Sequence, residues 1–371
     1  MISVNEAINT LLAGSHRLVE TETVPLGSAR GRTLAADLAS PLDVPPADNS
    51  AMDGYALRHA DWPGPESELP IGLRITAGTA PGELAPGKAA RIFTGAEVPQ
   101  GADTVVMQEN CEGTDTTARI LELPARGANI RPRGQDVKLG QTVLRAGQRL
   151  RPQEVGLAAS LGAPELPVFK RLRVAVLSTG DELVEPGSEA GPGQIYNSNR
   201  YTMNAQLAAW GFEVIDLGVA RDDFEAVRSR MLEAAEAADV IVTSGGVSVG
   251  EEDHVKAVVA SLGSLDLWRI SVKPGKPFAF GQVRGTPFLG LPGNPVSVFV
   301  TLLVIARSYL FACQGISDRS VQALPAKALF SRKRTMREDY MRARLAEAGV
   351  ELYPNQSSGA LFSTSWADGL V

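Results

Sequence analysis

The chain has 371 residues, of which 44% are hydrophobic and 21% are charged, and its formal net charge is −6. This length exceeds one ordinary domain of roughly 150 residues, and the composition is that of a soluble globular protein. The acidic balance disfavours nonspecific binding to nucleic acid, and no apolar run reaches the roughly 20 residues that span a bilayer. Because the N-terminus shows no export signal, we expect a cytoplasmic multidomain protein that binds neither nucleic acid nor membrane.

The first part of the sequence predicts a helix followed by β structure. Apolar residues recur at helical spacing over residues 4–12, and prolines between 41 and 46 end this segment. From residue 55 to about 134, short alternating runs are separated by Pro-Gly and Gly-Ala turns, which is typical of a small β domain. Within it, residues 82–89 nearly match a phosphate-binding P-loop, but Ala89 replaces the required hydroxyl, and a hairpin is the favoured interpretation.

The pattern changes near residue 171. Residues 173–178 form an apolar run without alternation, as expected for a strand that is covered on both faces. The elements predicted after it alternate between helix and strand: a helix at 200–210, a strand at 213–217, a helix at 223–238 and a strand at 240–243. This alternation predicts a doubly wound, mostly parallel α/β core domain.

The last part of the sequence predicts one long helix and then short strands. The helix is predicted from Pro295 to about residue 312, with Asn294 as its N-cap. Beyond Gly315, strands are predicted at 321–329, 340–345 and 350–353. We therefore expect a multidomain fold that combines an α/β core with small β domains.

A glycine-rich loop at residues 244–250 joins a predicted strand to a predicted helix. In an open α/β sheet the ligand lies at the carboxyl ends of the strands, where free backbone N–H groups at a helix start attract anions. Gly245, Gly246 and Gly250 would allow a ligand to approach the backbone closely. We interpret the loop as a phosphate-binding site, with a plain tight turn as the alternative.

Carboxylates occur at three predicted strand-to-helix junctions, namely residues 181–182, 222–223 and 251–253. If the strands are parallel, these side chains converge on one edge of the sheet. They would repel an anionic ligand unless a hard cation such as Mg²⁺ lies between them, and oxygen ligands suit that ion. Capping of helix N-termini is the alternative role for each of them.

Two proline-containing loops indicate an anion site. Residues 273–277 read Lys-Pro-Gly-Lys-Pro, and residues 291–295 read Leu-Pro-Gly-Asn-Pro. Lysines held between prolines lose little conformational entropy when they bind a ligand. Surface lysines on an ordinary turn are the alternative.

Seven segments carry recognisable motifs: residues 50–56 (SAMDGYA), 94–96 (TGA), 131–137 (RPRGQDV), 178–183 (STGDEL), 244–250 (SGGVSVG), 273–277 (KPGKP) and 291–295 (LPGNP). Together and in this order they resemble the molybdopterin molybdenumtransferase family, which is related to the carboxy-terminal part of gephyrin. The resemblance covers the whole chain and implies four domains: an elongated discontinuous domain (1–48 and 137–168), an inserted β domain (49–136), an α/β molybdopterin-binding domain (169–315) and a C-terminal β domain (316–371). Family members usually continue through a further strand, which leaves open whether the last domain is complete.

The resemblance also implies an activity, namely the insertion of molybdate into adenylylated molybdopterin to give molybdenum cofactor and AMP, with Mg²⁺ as cofactor. It implies a homodimer whose active site combines the α/β domain of one subunit with the inserted domain of the other, and other proteins of the pathway as further partners. The residues expected in catalysis are Asp53, Asp136, Glu182, Asp222, Asp253, Lys273 and Lys276, with Asp222 and Asp253 as metal ligands. The residues expected to bind substrate are Thr94, Arg131, Ser178, Thr179, Gly245, Gly246, Ser248, Gly250, Pro292, Asn294 and Pro295.

Two alternatives remain. Adenylylation of molybdopterin is one, because the single-domain adenylyltransferases of this pathway share the α/β core. The inserted β domain and the motif at residues 50–56 argue against it. A scaffold without catalysis is the other, because gephyrin also anchors receptors. The presence of every expected acidic residue in one chain argues for chemistry.

Overall fold

The computed structural model describes residues 1–246, 254–333 and 335–371. The chain forms two compact units. The first comprises Met1–Ala36, Ala146–Pro152 and Glu165–Val371, and the second comprises Asp37–Arg145 and Gln153–Pro164. Both helices and curled sheets are present, so the predicted mixed α/β class is confirmed. The division into four domains stays a prediction.

The first unit is built around a six-stranded sheet. In chain order its strands are Arg173–Thr179, Glu213–Ala220, Val240–Ser244, Gly263–Arg269, Pro277–Val283 and Thr286–Leu291. Across the sheet, neighbouring strands follow one another in the order Glu213–Ala220, Arg173–Thr179, Val240–Ser244, Thr286–Leu291, Pro277–Val283 and Gly263–Arg269. Among these strands only Pro277–Val283 runs against the others. The carboxyl ends of the parallel strands therefore meet at one edge.

Helices cover both faces of this sheet because its strands are apolar on both sides. Val174 and Val176 belong to one apolar cluster, which includes residues of helix Ser198–Ala209. Ala175 belongs to a second cluster, which includes residues of helix Phe224–Ala237. Successive side chains of a strand point to opposite faces, so an uninterrupted apolar run is what two buried faces require.

The last long helical segment lies in the core of the first unit. It consists of α-helical Pro295–Thr301, π-helical Leu302–Ala306 and α-helical Arg307–Gln314, and it ends at Gly315 with a φ of 81°. This 20-residue segment is long and apolar enough to cross a membrane, but 83% of its most apolar window is buried inside the protein. Core packing accounts for its composition.

The second unit contains another six-stranded sheet. Its spatial order is Thr104–Met107, Gly54–Leu57, Ala89–Ile92, Glu68–Ile75, Thr117–Ile120 and Cys111–Gly113. Strands Glu68–Ile75 and Ala89–Ile92 run parallel. A hairpin joins antiparallel strands only, so the hairpin predicted for residues 82–89 is wrong, and the segment is a crossover connection instead.

The remaining strands form short ladders: Thr21–Pro25 with Glu165–Phe169, Leu38–Ala39 with Thr142–Leu144, Asn49–Ser50 with Ile130–Arg131, Leu183–Val184 with Ile195–Tyr196, Val272–Lys273 with Glu338–Asp339, and Arg342–Ala346 with Gly349–Leu352 and Gly369–Leu370. The other α-helices are Val4–Ala13, Pro152–Ser160, His254–Leu262 and Phe362–Trp366.

One predicted strand is wrong. Residues 321–329 form no strand, and within them only Ala328 makes a bridge, to Val350. Leu324 is 89% exposed. An apolar run becomes a strand only where a neighbouring strand and a buried face support it. Here a neighbouring strand lies beside only the end of the segment, and residues 321–329 are all exposed.

Candidate active site at the carboxyl edge of the sheet

Three parallel strands of the first unit end side by side. Ser178 is level with Ser244, which is level with Leu291, and the Gly245 N–H donates to the Leu291 carbonyl at 3.1 Å. Thr179, the last residue of its strand, is level with Ala220. The predicted loops therefore begin at one edge of the sheet, as parallel strands require. Ser178 itself is fully buried.

The described part of the glycine loop depends on glycine. Gly245 and Gly246 have φ values of 86° and 66°, which side-chain-bearing residues rarely adopt. A Cβ on Gly246 would lie 2.4 Å from Val255 Cγ2 and 3.2 Å from Thr179 Oγ1. The backbone thus lies directly against the end of the neighbouring strand. Ser248, Gly250 and Asp253 lie outside the described residues.

A cavity of about 520 Å³ opens beside these loops. Its lining includes Gly245 and Gly246, the predicted lysine loop, and Pro292 to Asn294 of the second proline loop. Pro295, in the first turn of the following helix, is not among the lining residues. The structure therefore brings three separately predicted loops together around one cavity.

The cavity is cationic. Lys273, Lys276 and Arg337 line it, and no carboxylate is among its lining residues, all of which are described. Lys273 Nζ lies 3.4 Å from Asp339 Oδ2, and Arg332 Nη2 lies 3.2 Å from the same oxygen. One carboxylate thus faces two cations, and net positive charge remains for a ligand.

The C-terminal part of the chain forms a further wall of the cavity. It supplies Arg337, Gln356, Ser357 and Ser358, none of which is among the predicted site residues. Arg337 comes close because strand Glu338–Asp339 pairs with Val272–Lys273, a contact between distant residues that no local pattern reveals.

Two hydrogen bonds hold this wall in place. The Ser358 carbonyl accepts the Val296 N–H at 3.0 Å, and Arg342 Nη2 donates to the Ser357 carbonyl at 3.1 Å. The first bond satisfies an N–H group that a helix start leaves without a partner. Asn294 occupies the N-cap position as predicted, but its side chain makes no capping hydrogen bond, so it remains available to a ligand.

The carboxylates at the sheet edge differ in their roles. Asp223 accepts the Ala226 N–H at 2.9 Å and therefore caps its helix. Glu182 and Asp222 are exposed, and the Asp222 N–H donates to Asp181 Oδ1 at 3.1 Å. Helix capping therefore accounts for Asp223 but not for Asp222. Among the described residues, no group of three His, Cys, Asp or Glu side chains could hold a metal by itself.

The remaining predicted residues belong to the second unit. Asp53 Oδ1 accepts the backbone N–H and the hydroxyl of Thr94, both at 2.7 Å. Together these bonds hold the pKa of Asp53 below its usual value of 3.8, and the backbone hydrogen bond has the larger effect. A Cβ on Gly54 would lie 1.8 Å from a neighbouring carbonyl oxygen, so the motif needs glycine there. Arg131 and Asp136 are exposed.

Family models match most of the chain. The MoeA N-terminal region (domain I and II) matches residues 2–162, a probable molybdopterin binding domain matches residues 175–312, and the MoeA C-terminal region (domain IV) matches residues 326–371.

Individual relatives agree with these matches. The molybdopterin molybdenumtransferase of Haemophilus influenzae is 43% identical over 85% of this chain and 78% of its own length. That of Synechococcus elongatus is 37% identical over 99% of this chain and 95% of its own length. A crystal structure of a molybdopterin biosynthesis MoeA protein from Pyrococcus horikoshii OT3 superposes with a TM-score of 0.84 at 29% identity, covering 99% of this chain and 93% of that one. The chain therefore belongs to the molybdopterin molybdenumtransferase family.

Proposed function

We propose that this protein inserts molybdate into adenylylated molybdopterin and releases AMP. The observation that supports this reaction is the cavity in which Lys273, Lys276 and Arg337 face the backbone of the glycine loop without a lining carboxylate. Both molybdate and phosphate groups are oxyanions, and fixed cations beside backbone amides stabilise such charge. Both substrates of the reaction therefore suit this cavity.

We assign the two sides of the cavity to different charges. Lys273 and Lys276 counter the charge of molybdate, since they lie on a loop stiffened by prolines. Gly245, Gly246 and the end of strand Arg173–Thr179 position the phosphate-bearing organic substrate, because a ligand can approach glycine backbone closely. Holding both reactants in one cavity lowers the entropic part of the barrier.

Mg²⁺ is part of the proposal. In phosphate-handling sites this ion is held by one or two carboxylates together with substrate phosphates and water, so a cluster of three protein ligands is not required. The exposed carboxylate of Asp222 fits this need, and Asp253 would join it. Bound there, Mg²⁺ would neutralise charge on the phosphate oxygens. Glu182 lies at the same edge as a further carboxylate.

We also propose that the site is completed by a second copy of the chain, from which Asp53, Thr94, Arg131 and Asp136 would reach the cavity. Two hydrogen bonds from Thr94 fix the orientation of the Asp53 carboxylate, which supports a role in this site. Sedimentation should reveal a homodimer at micromolar concentration. A 39.3 kDa monomer that is fully active would contradict the shared site.

The decisive assay incubates the protein with adenylylated molybdopterin, Mg²⁺ and molybdate and measures AMP release and cofactor formation. We expect both products, and both should depend on molybdate. An adenylyltransferase would instead consume ATP and molybdopterin, and a scaffold would release no AMP.

Neighbouring aspartates offer a matched pair of variants for this assay. Asp222→Asn should lower turnover without changing the melting temperature, because its side chain is exposed. Asp223→Asn should leave both unchanged, because asparagine also caps helices. Equal effects of the two variants on turnover would contradict the proposed role of Asp222.

A further inference from the structure

A second cationic cleft lies in the first compact unit. Its volume is about 690 Å³, and it shares no lining residue with the cavity of the proposed active site. The arginines that line it are Arg30, Arg149, Arg151 and Arg307. Among its lining residues, all of them described, the one carboxylate is Asp318, which accepts hydrogen bonds from the hydroxyl and the N–H of Ser320 at 2.8 and 3.3 Å. Even without Arg151, the arginines outnumber this carboxylate, so the cleft is positive in a protein whose net charge is −6.

Arg149 and Arg307 are half-buried, and their hydrogen bonds to described residues go to neutral carbonyls. Arg149 Nη2 donates to the Ala209 carbonyl at 3.0 Å, and Arg307 Nη1 donates to the carbonyls of Arg319 and Ser320 at 3.0 and 2.9 Å. Carbonyls satisfy the N–H donors without neutralising the charge. Burial lowers the pKa of both guanidinium groups; for Arg307 the charge of Arg149 adds to this effect, whereas Asp318 opposes it.

The walls of the cleft are fixed. The Ser317 N–H donates to the Gly147 carbonyl at 3.0 Å, which ties two loops together. Trp210 and Phe311 form an aromatic side with ring centroids 5.5 Å apart. The guanidinium carbon of Arg307 lies 4.2 Å from the Phe311 ring centre, so this side chain is held by a ring as well as by carbonyls.

We propose that this cleft is a second anion site, which binds an oxyanion between Arg149 and Arg307, either free or as the phosphate group of a nucleotide. Guanidinium groups offer paired N–H donors that match phosphate geometry. Because carbonyls hold both side chains and the Phe311 ring also holds Arg307, little conformational entropy is lost on binding. The volume lies in the range of small-molecule sites. The proposal does not depend on the reaction assigned to the other cavity.

Titration calorimetry of the full chain with inorganic phosphate, molybdate and AMP tests the site. We expect a class of sites that Arg149→Gln and Arg307→Gln each weaken at least about tenfold and that Lys273→Gln leaves unchanged. Arg149→Lys keeps the charge and should retain most of the affinity. The matched control is Arg230→Gln, which removes an arginine from the exposed surface of helix Phe224–Ala237 and should change nothing.

The melting temperature of each variant separates lost binding from lost folding. If Arg307→Gln does not fold, the comparison of Arg149→Gln with Arg149→Lys still decides. Tighter binding of AMP than of phosphate would identify a nucleotide as the ligand, and equal binding would identify a free oxyanion. Unchanged affinities in the glutamine variants would overturn the proposal. The proposal would also be overturned if these glutamine variants changed the sedimentation of the protein but not its anion binding, because the arginines would then contact a second copy of the chain.

Discussion

Replacing Lys273 by glutamine tests the charge of the proposed active cavity. The Lys273 side chain is 40% exposed, and its partner Asp339 keeps Arg332 at 3.2 Å, so loss of the ion pair should cost well under about 1 kcal/mol of stability. A lost charge-assisted contact to a bound oxyanion is worth about 1.5–3 kcal/mol, or roughly ten- to a hundredfold. We therefore expect the half-saturating molybdate concentration to rise by that factor while the melting temperature hardly changes.

The assay is AMP release as a function of molybdate, repeated as a function of adenylylated molybdopterin. Lys170→Gln is the matched control, because it removes the same charge from an exposed pair with Glu20 that does not line the cavity. If Lys273→Gln leaves the half-saturating molybdate concentration unchanged but weakens binding of the organic substrate, the lysine belongs to the phosphate side and our assignment is wrong.

Three further predictions concern folding and ionisation. Gly54→Ala would place a methyl group 1.8 Å from the Val106 carbonyl oxygen, so it should cost at least about 2 kcal/mol of unfolding free energy in urea titrations, and a smaller cost would show that the strand can shift. Arg342→Met removes buried hydrogen bonds from a side chain that is 1% exposed, and it should lower the melting temperature; a higher one would mean that desolvation of the guanidinium outweighs those bonds. Thr94→Val should raise the depressed pKa of Asp53, as measured by NMR titration, and an unchanged pKa would exclude the hydroxyl as a cause. Because the pKa of Asp53 is lowered in the folded state, ionised Asp53 stabilises the fold above its unfolded-state pKa, and this stabilisation is lost as the pH falls. The difference in unfolding free energy between the wild type and Thr94→Val should therefore shrink below about pH 4.

Local patterns were sufficient where the structure is locally determined. The apolar run at residues 173–178 predicted a strand with two buried faces, and Asp223 lies one residue before a helix, as an N-cap should. Parallel strand pairing predicted that the acidic residues after different strands lie close together at one edge of the sheet. The hydrogen bond from the Asp222 N–H to Asp181 shows this for one such pair. These features depend on side-chain period and on strand direction, both of which can be read from neighbouring residues.

Other features depend on contacts between distant segments. Arg337 lies in no motif, and it reaches the cavity only because residues 338–339 pair with residues 272–273. The strand predicted at 321–329 is wrong for the converse reason, since the composition suits a strand but a neighbouring strand lies alongside only its last residues. The connection at residues 82–89 was misread because its sequence does not reveal that the flanking strands are parallel.

The hydrogen bond from the Val296 N–H to the Ser358 carbonyl has a consequence for the order in which the protein matures. A ribosome makes the chain from its N-terminus, so the whole six-stranded sheet can emerge while Ser358 is still unsynthesised. During that interval the start of helix Pro295–Thr301 lacks this partner, and the cavity lacks one of its walls. Under the proposed function, a nascent chain therefore completes its core before it can retain molybdate, because the cavity gains this wall only once the C-terminal turn has docked.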